Sequence, residues 1–271
     1  MMLKIAKILF ILLFLAGLSG PAYSQKLSQV DHPIQSLVGE FFEYDISFLW
    51  FDKLAEGSLQ LSRGEQPETF LIVLKARTLG MAAFFTRDRV EKFQTLMQIS
   101  STGLLQPLWH SSHTIRGKGD SRKEKITRYT FDYNSAQVRY QKIKNNRVYK
   151  DQWFSLEKDK PLFDILSALY NLRLGFYGEV GQETILIPTF HRKGPQDIVV
   201  EPLRKLSKKD RKFFTADVVQ CRILVDPSVF GTKGRDILAS FDEHMQPQKG
   251  IIKDVIGMGD VRGKLRTLPR R

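Results

Sequence analysis

The sequence predicts a mainly β protein: a single domain of curved, mostly antiparallel sheet, a sandwich or open barrel, with one buried helix at about residues 164–174. Three observations predict it. Apolar side chains recur at every second position over many short segments, the period of a half-buried strand. The links between those segments carry turn residues. One segment alone switches to helical spacing. Composition agrees, with 42% hydrophobic and 26% charged residues in 271, which excludes a disordered or collagen-like chain.

The opening strand is read from Phe42, Tyr44, Ile46, Phe48 and Trp50, which alternate with Glu43, Asp45 and Ser47. Gly57–Leu61 and Thr69–Leu79 follow, joined by the turn-forming run Arg63-Gly64-Glu65-Gln66-Pro67. Arg87–Gln98 and Leu108–Arg116 continue the pattern. Lys123–Tyr133 puts Tyr129, Phe131 and Tyr133 on one face, and Asn134-Ser135 turns the chain into Gln137–Lys144. Asn145-Asn146 is a strong hairpin signal, because Asn tolerates the positive φ of tight hairpin turns. The return strand is Val148–Leu156. Later strands are Thr184–Phe190, Asp197–Leu203, Asp217–Val225, Ile237–Met245, Ile251–Ile256 and Val261–Leu268.

Asp164–Arg173 breaks the period. Ile165, Leu166, Leu169, Tyr170 and Leu172 cover most of a helical circumference, so this helix must be buried, plugging the concave side of the sheet. Asp164 suits its N-cap and Gly175 its C-terminal stop. Cys221, the only cysteine, excludes a disulfide framework and reads as a small hydrophobe on a strand.

The N-terminus carries Lys4 and Lys7, then the apolar run Ile8–Leu18, then Ser19-Gly20-Pro21 and Ala22-Tyr23-Ser24. That is the layout of a secretory signal cut before Gln25. The run is shorter than the ~20 apolar residues a membrane helix needs. No cysteine follows it, so a lipoprotein anchor is not expected. The expected organisation is a signal peptide at 1–24, a flexible lead-in at 25–36, one β-rich domain at 37–268 and a basic tail at 269–271. With no later apolar span, the mature protein is expected to be soluble in the periplasm.

Asp164–Arg173 also resembles the most recognisable motif of domain-of-unknown-function family number 3108, a group of exported bacterial proteins. That pattern runs Asp-Pro-Leu-Ser-Ala-Leu-Tyr-Tyr-Leu-Arg. Asp164, Leu166, Ser167, Ala168, Leu169, Tyr170, Leu172 and Arg173 match it; Ile165 stands where Pro is usual and Asn171 where an aromatic is usual. Gly39-Glu40-Phe41 leading into Tyr44-Asp45-Ile46 resembles the family's opening strand. Ala55-Glu56-Gly57-Ser58-Leu59 resembles its small-residue turn into the second strand, and Ile237–Leu265, with Pro247 and Gly263, its closing segment. The resemblance implies an exported β-rich domain and marks Asp164, Ser167, Tyr170 and Arg173 as structural or ligand-contact residues. It contributes no active site.

No catalytic signature stands out. His110 and His113 are three apart and would face opposite sides of a strand, which is poor for one metal. His32, His191 and His244 stand alone. There is no Gly-x-Ser-x-Gly elbow and no Walker motif. Gly257–Gly263 lacks the dinucleotide fingerprint and reads as a turn between strands. No catalytic, cofactor or metal residues are assigned, and no enzyme is expected.

The charge is more informative. The formal net charge is +13, with basic clusters at Lys118–Arg128, at Arg139–Lys150 and, densest of all, at Arg204, Lys205, Lys208, Lys209, Arg211 and Lys212. These last six are the candidates for attraction to an anionic surface. In the envelope that means lipid, lipopolysaccharide or acidic glycan; nucleic acid is not an expected partner of an exported protein. Two readings follow, with a hydrolase of unrecognised site as a third. One is a binding protein holding an amphipathic or anionic ligand. The other is a structural or assembly factor docking envelope proteins along its sheet edges. An enclosed apolar cavity would favour the first, and a filled interior with exposed apolar edge strands the second.

Overall fold

The computed structural model describes residues 32–48, 51–157, 161–191, 194–214 and 219–266. The proposed signal peptide and basic tail lie outside them. From Ser36 onward the described residues form one compact unit. Of the expected lead-in, Pro33–Leu37 is a short 3₁₀ helix rather than irregular chain, consistent with the fixed φ that Pro33 supplies at its start.

Fourteen strands among the described residues make one antiparallel sheet. They are β1 (Phe41–Phe48), β2 (Phe51–Arg63), β3 (Thr69–Thr78), β4 (Val90–Ile99), β5 (Leu105–Arg116), β6 (Lys123–Asp132), β7 (Gln137–Lys144), β8 (Arg147–Ser155), β9 (Ile185–His191), β10 (Gly194–Pro202), β11 (Val219–Leu224), β12 (Asp236–Phe241), β13 (Pro247–Val255) and β14 (Gly259–Leu265). Over the described residues each predicted strand is present, with ends shifted by a few residues; Trp50, Asp217, Val218, Thr267 and Leu268 of the predicted strands lie outside them. The order is β8-β7-β6-β5-β4-β3-β2-β1-β14-β13-β12-β11-β10-β9. Sequence neighbours therefore pair throughout, and β1 meets β14 to join the two halves.

The sheet is open, with edges β8 and β9, but it curls. Phe154 of β8 meets Phe190 of β9 edge to face at 5.2 Å between ring centroids. Phe163 pairs in parallel with Thr189 along the β9 edge. The concave face is apolar over most of its area. It carries Phe42, Leu59, Leu61, Phe70, Ile72 and Met97 on one side and Ile185, Ile187, Ile198, Val200, Cys221 and Phe241 on the other.

Ala55–Leu59 departs from the expected turn. It lies within β2, with Gly57 opposite both Tyr44 and Ala76. The glycine serves packing there: a Cβ would come within 3.2 Å of Ile46 Cδ1 and 3.3 Å of the Lys75 carbonyl. The Asn145-Asn146 hairpin does use positive φ, 46° and 63°, and Gly257-Met258 turns β13 into β14 as expected.

Four α-helices are described: α1 (Gly80–Thr86), α2 (Ile165–Arg173), α3 (Lys208–Phe213) and α4 (Pro227–Phe230). Only α2 was predicted. It sits in the concavity, against β4, β5 and β9. Its caps form as its sequence requires. Asp164 Oδ1 accepts from the Leu166 N–H and Ser167 Oγ accepts from the Asp164 N–H, a reciprocal cap. At the other end Gly175 takes φ +75°. Its N–H bonds the Leu172 carbonyl while the Phe176 N–H bonds the Asn171 carbonyl, satisfying two carbonyls the helix leaves open.

Candidate functional site

Helix α2 is pinned to the sheet by polar groups at both ends and in the middle. At its start the buried Asp164 carboxylate also accepts a 2.6 Å bond from Thr95 Oγ1 on β4, and His110 Nδ1 on β5 lies 2.9 Å from the same oxygen. Ser167 Oγ donates to the other oxygen at 2.7 Å. Because Thr95 gives its proton to Asp164, its oxygen is left to accept from His110 Nδ1–H, 2.9 Å away. Burial alone would raise the Asp164 pKa; the facing His110 and the bonds from His110, Thr95 and Ser167 outweigh it and hold the carboxyl below its ordinary value.

In the middle, Asn171 is fully buried and bonds one backbone residue twice. Its Oδ1 accepts from the Leu105 N–H at 2.8 Å and its Nδ2 donates to the Leu105 carbonyl at 2.9 Å. The amide thus continues the sheet ladder at the start of β5. A residue that departs from the family motif here makes a specific connection.

At the C-terminus Arg173 forks onto Glu40, with Nη1 and Nη2 each 2.8 Å from a carboxylate oxygen. Its Nε donates to the Met245 carbonyl at 2.9 Å. The guanidinium lies 4.8 Å from the Tyr170 ring centroid and 5.6 Å from that of Phe42. Burial works against its charge, but the Glu40 hydrogen bonds prevail and raise its pKa. The four motif residues are therefore assembled along one helix. Asp164, Ser167 and Arg173 point their polar groups at partners within the protein, and Tyr170 lies beneath the guanidinium.

The remaining face of α2 meets empty space. Leu166, Ala168 and Leu172 are buried, whereas Ile165 and Leu169, one turn apart, are only partly so. These two border an apolar cavity of about 180 Å³, walled opposite by Ile187, Ile198, Ile223 and Ile237. It is open on one side, where Ile165 and Leu169 are partly exposed, and it has room for a benzene-sized apolar group. A second cavity of about 160 Å³ adjoins it, sharing Phe93 and Ile165, and is the more polar of the two: His110, Ser112, Thr127, Lys142 and Asp164 border it together with the rings of Tyr129, Tyr140 and Phe190.

His191 and Ser228 belong to a cluster that sequence reading missed. His191 Nε2 lies 2.8 Å from Ser228 Oγ and 3.0 Å from Asp226 Oδ1. Ser228 Oγ donates to the same carboxylate oxygen, which also accepts the Ser228 N–H at 2.8 Å to cap α4. Serine and aspartate thus share one histidine nitrogen. In a hydrolytic triad the aspartate holds the opposite nitrogen and the histidine accepts the serine proton; here that proton is already given to Asp226. His110 and His113 face opposite sides of β5 as expected, His113 bonding Glu124 at 3.1 Å. No group of three His, Cys, Asp or Glu among the described residues is placed to hold a metal. Cys221 is buried on β11, where burial pushes its thiol up to about 12.

The six anionic-surface candidates lie elsewhere. Arg204, Lys205, Lys208, Lys209, Arg211 and Lys212 are exposed on and beside α3. Phe214, next to α3, packs on Leu238 and Ile251, which are on the convex side of the sheet. The one acid of the run, Asp210, turns inward to Arg262 at 3.0 Å and Lys253 at 3.3 Å. The structure therefore separates this basic run from both cavities by the thickness of the sheet.

Sheet and interior define a curled antiparallel β protein with a helix in its concavity and an apolar cavity beside that helix. The chain belongs to the family described as "Protein of unknown function (DUF3108)", whose model matches residues 43–259. Among curated proteins none matches it. Among solved structures it is similar to a β-barrel-like protein of domain of unknown function DUF1849 from Brucella abortus. The identity is 14% and the TM-score 0.44, over 87% of this chain and 98% of that one.

Proposed function

We propose that this chain is an exported, non-enzymatic protein of the bacterial periplasm that holds an amphipathic ligand, a lipid or lipid-like molecule, beside α2. The observation that carries this reading is the apolar cavity faced by Ile165 and Leu169. An interior helix that leaves two large aliphatic side chains against empty space forgoes burial worth about 25 cal/mol for each Å² left uncovered, which a bound alkyl segment would recover. The adjoining polar cavity gives such a ligand a place for its head. The Ala22-Tyr23-Ser24 signal layout supports export, and the shared-nitrogen geometry at His191 supports binding over hydrolysis. Native mass spectrometry of protein purified without detergent tests it. A co-purified apolar molecule is expected. Bare polypeptide that also fails to take up added octan-1-ol would overturn the reading.

A second reading, docking of other envelope proteins, is favoured by edge strand β8, where Val148, Tyr149 and Trp153 are 52%, 59% and 56% exposed. Such an edge is a template for strand addition. Cross-linking in whole cells through a photoreactive residue at position 149 would expose a partner. Cross-links only to bulk lipid or none at all would count against docking.

A further inference from the structure

The strand register gathers an unexpected set of cations on the concave face. On β7, Val138 and Tyr140 point inward and are fully buried; by strand parity Lys142 and Lys144 share their face. Lys142 stands directly opposite Lys150 of β8, and Lys144 directly opposite Lys125 of β6. Like charges directly opposed across strands destabilise a sheet, and this face holds two such pairs side by side. Both Lys142 and Lys150 also lie over the Tyr140 ring, at 6.0 and 5.4 Å from its centroid. No ion pair to a carboxylate is found for any of the four among the described residues. Of the inward acids, Glu91 is satisfied by Arg89 at 2.6 Å and Thr114 at 2.7 Å, and Asp164, which borders the same cavity as Lys142, is satisfied by Thr95, Ser167 and His110.

The pairs occupy a graded surface. Moving along the inward rows of β5–β8, Phe131, Val138 and Phe154 give way to His110, Tyr129 and Tyr140. Then come Ser112, Thr127, Lys142 and Lys150, and finally Thr114, Lys125 and Lys144. Beyond these a further cleft of about 680 Å³ is bordered by Arg87, Arg89, Arg116, Lys123 and Lys125. Lys142, Ser112 and Thr127 border the polar cavity that adjoins the apolar one.

We propose that Lys142 and Lys150, with the hydroxyls of Ser112 and Thr127, bind the anionic head of the ligand, a phosphate or carboxylate, whose alkyl part lies against Ile165 and Leu169. This rests on the amphiphile reading above and specifies its head group. The opposed lysines repel in the empty protein, and an oxyanion between them turns that repulsion into charge-assisted hydrogen bonding. The flanking cations of the larger cleft draw anions toward the mouth.

Isothermal titration of the full-length mature protein with octyl phosphate, octan-1-ol and inorganic phosphate tests this, comparing wild type with the double variant Lys142→Gln/Lys150→Gln. Wild type should bind octyl phosphate more tightly than octan-1-ol by about ten-fold, the worth of one charge-assisted hydrogen bond. The double variant should lose that preference, keep octan-1-ol binding and melt no lower than wild type. The convex-side control Lys208→Gln/Lys209→Gln should bind as wild type does. Equal binding of the two octyl compounds to wild type, or an unchanged preference in the double variant, would overturn the head-group assignment while leaving the cavity reading intact. Failure of both octyl compounds would instead sink the cavity reading. Binding of inorganic phosphate as tightly as octyl phosphate would show a free-anion site and refute the amphiphile.

Discussion

Arg173→Met isolates the contribution of the pin at the C-terminus of α2. Methionine keeps most of the stem against Phe42 and Tyr170 and removes only the charged fork. The Arg173 side chain is 1% exposed and that of Glu40 14%, so the substitution strands a carboxylate that water reaches poorly, and it leaves the Met245 carbonyl without its Nε donor. Breaking a buried ion pair costs about 3–5 kcal/mol. The residual exposure of Glu40 puts this one near the lower end, about 3 kcal/mol. At about 2–4 °C per kcal/mol for a domain of this size, the melting temperature should drop by roughly 6–12 °C. Urea denaturation at constant m gives the free energy directly. The double variant Arg173→Met/Glu40→Gln should be more stable than Arg173→Met alone, because the orphaned charge is gone. A single variant within about 0.5 kcal/mol of wild type, the scale of ordinary surface substitutions, would refute the argument. So would a double variant no better than the single.

Three further outcomes follow from the same interior. Asn171→Leu should cost about 1–3 kcal/mol for each of the two Leu105 backbone groups it leaves unpaired, whereas a urea midpoint equal to wild type would mean the amide is dispensable. Asp164 and Asp210 are both held below the ordinary carboxylate value, despite desolvation, by bonded partners. Their stabilisation is therefore complete above about pH 4, the unfolded value, and is lost as pH falls through the folded values. Asp164→Asn should flatten part of that acid limb in urea midpoints taken from pH 7 to 2.5, and an unchanged slope would count against it. Finally, Leu61→Ala, fully buried and away from the cavity, should cost about 2–5 kcal/mol as an ordinary core truncation, and Leu169→Ala clearly less, since Leu169 is only partly buried and already borders a void; equal losses by chemical denaturation would mean the cavity is not there.

The strands were legible because antiparallel neighbours joined by short turns expose one period per segment, and a period survives without knowledge of partners. Helix α2 was legible from the spacing of Ile165, Leu166, Leu169, Tyr170 and Leu172 and from the caps Asp164 and Gly175, local signals that need nothing beyond the next few residues. Helices α1, α3 and α4 were not, being too short to show a period. For α3 and α4 the caps were the only notice: Ser207, which accepts from the Asp210 N–H, and Asp226 before Pro227. The partners of the pins were hidden for a different reason. Glu40 and Arg173 are 133 positions apart, and no local period or cap signal joins them. The inward lysines were available in principle. Sorting the hairpin cluster by strand parity separates Arg139, which bonds Asp151 on the convex side, from Lys142 and Lys144, which continue the row of Val138 and Tyr140.

The distribution of polar bonds along α2 explains how its concavity can stay partly empty. A helix held by apolar packing alone would settle into any void on its open side, because burying Ile165 and Leu169 is favourable wherever the backbone can move. Here Asp164 fixes one end to β4 and β5, Asn171 fixes the middle to the first residue of β5, and Arg173 fixes the other end to Glu40 and the Met245 carbonyl. These bonds are directional, and a small displacement strands buried polar groups at about 1–3 kcal/mol apiece. Moving the helix into the cavity would gain apolar contact on one face and lose several such bonds on the other. Asp164, Asn171 and Arg173 therefore act on the cavity by position: they hold its floor away from its roof.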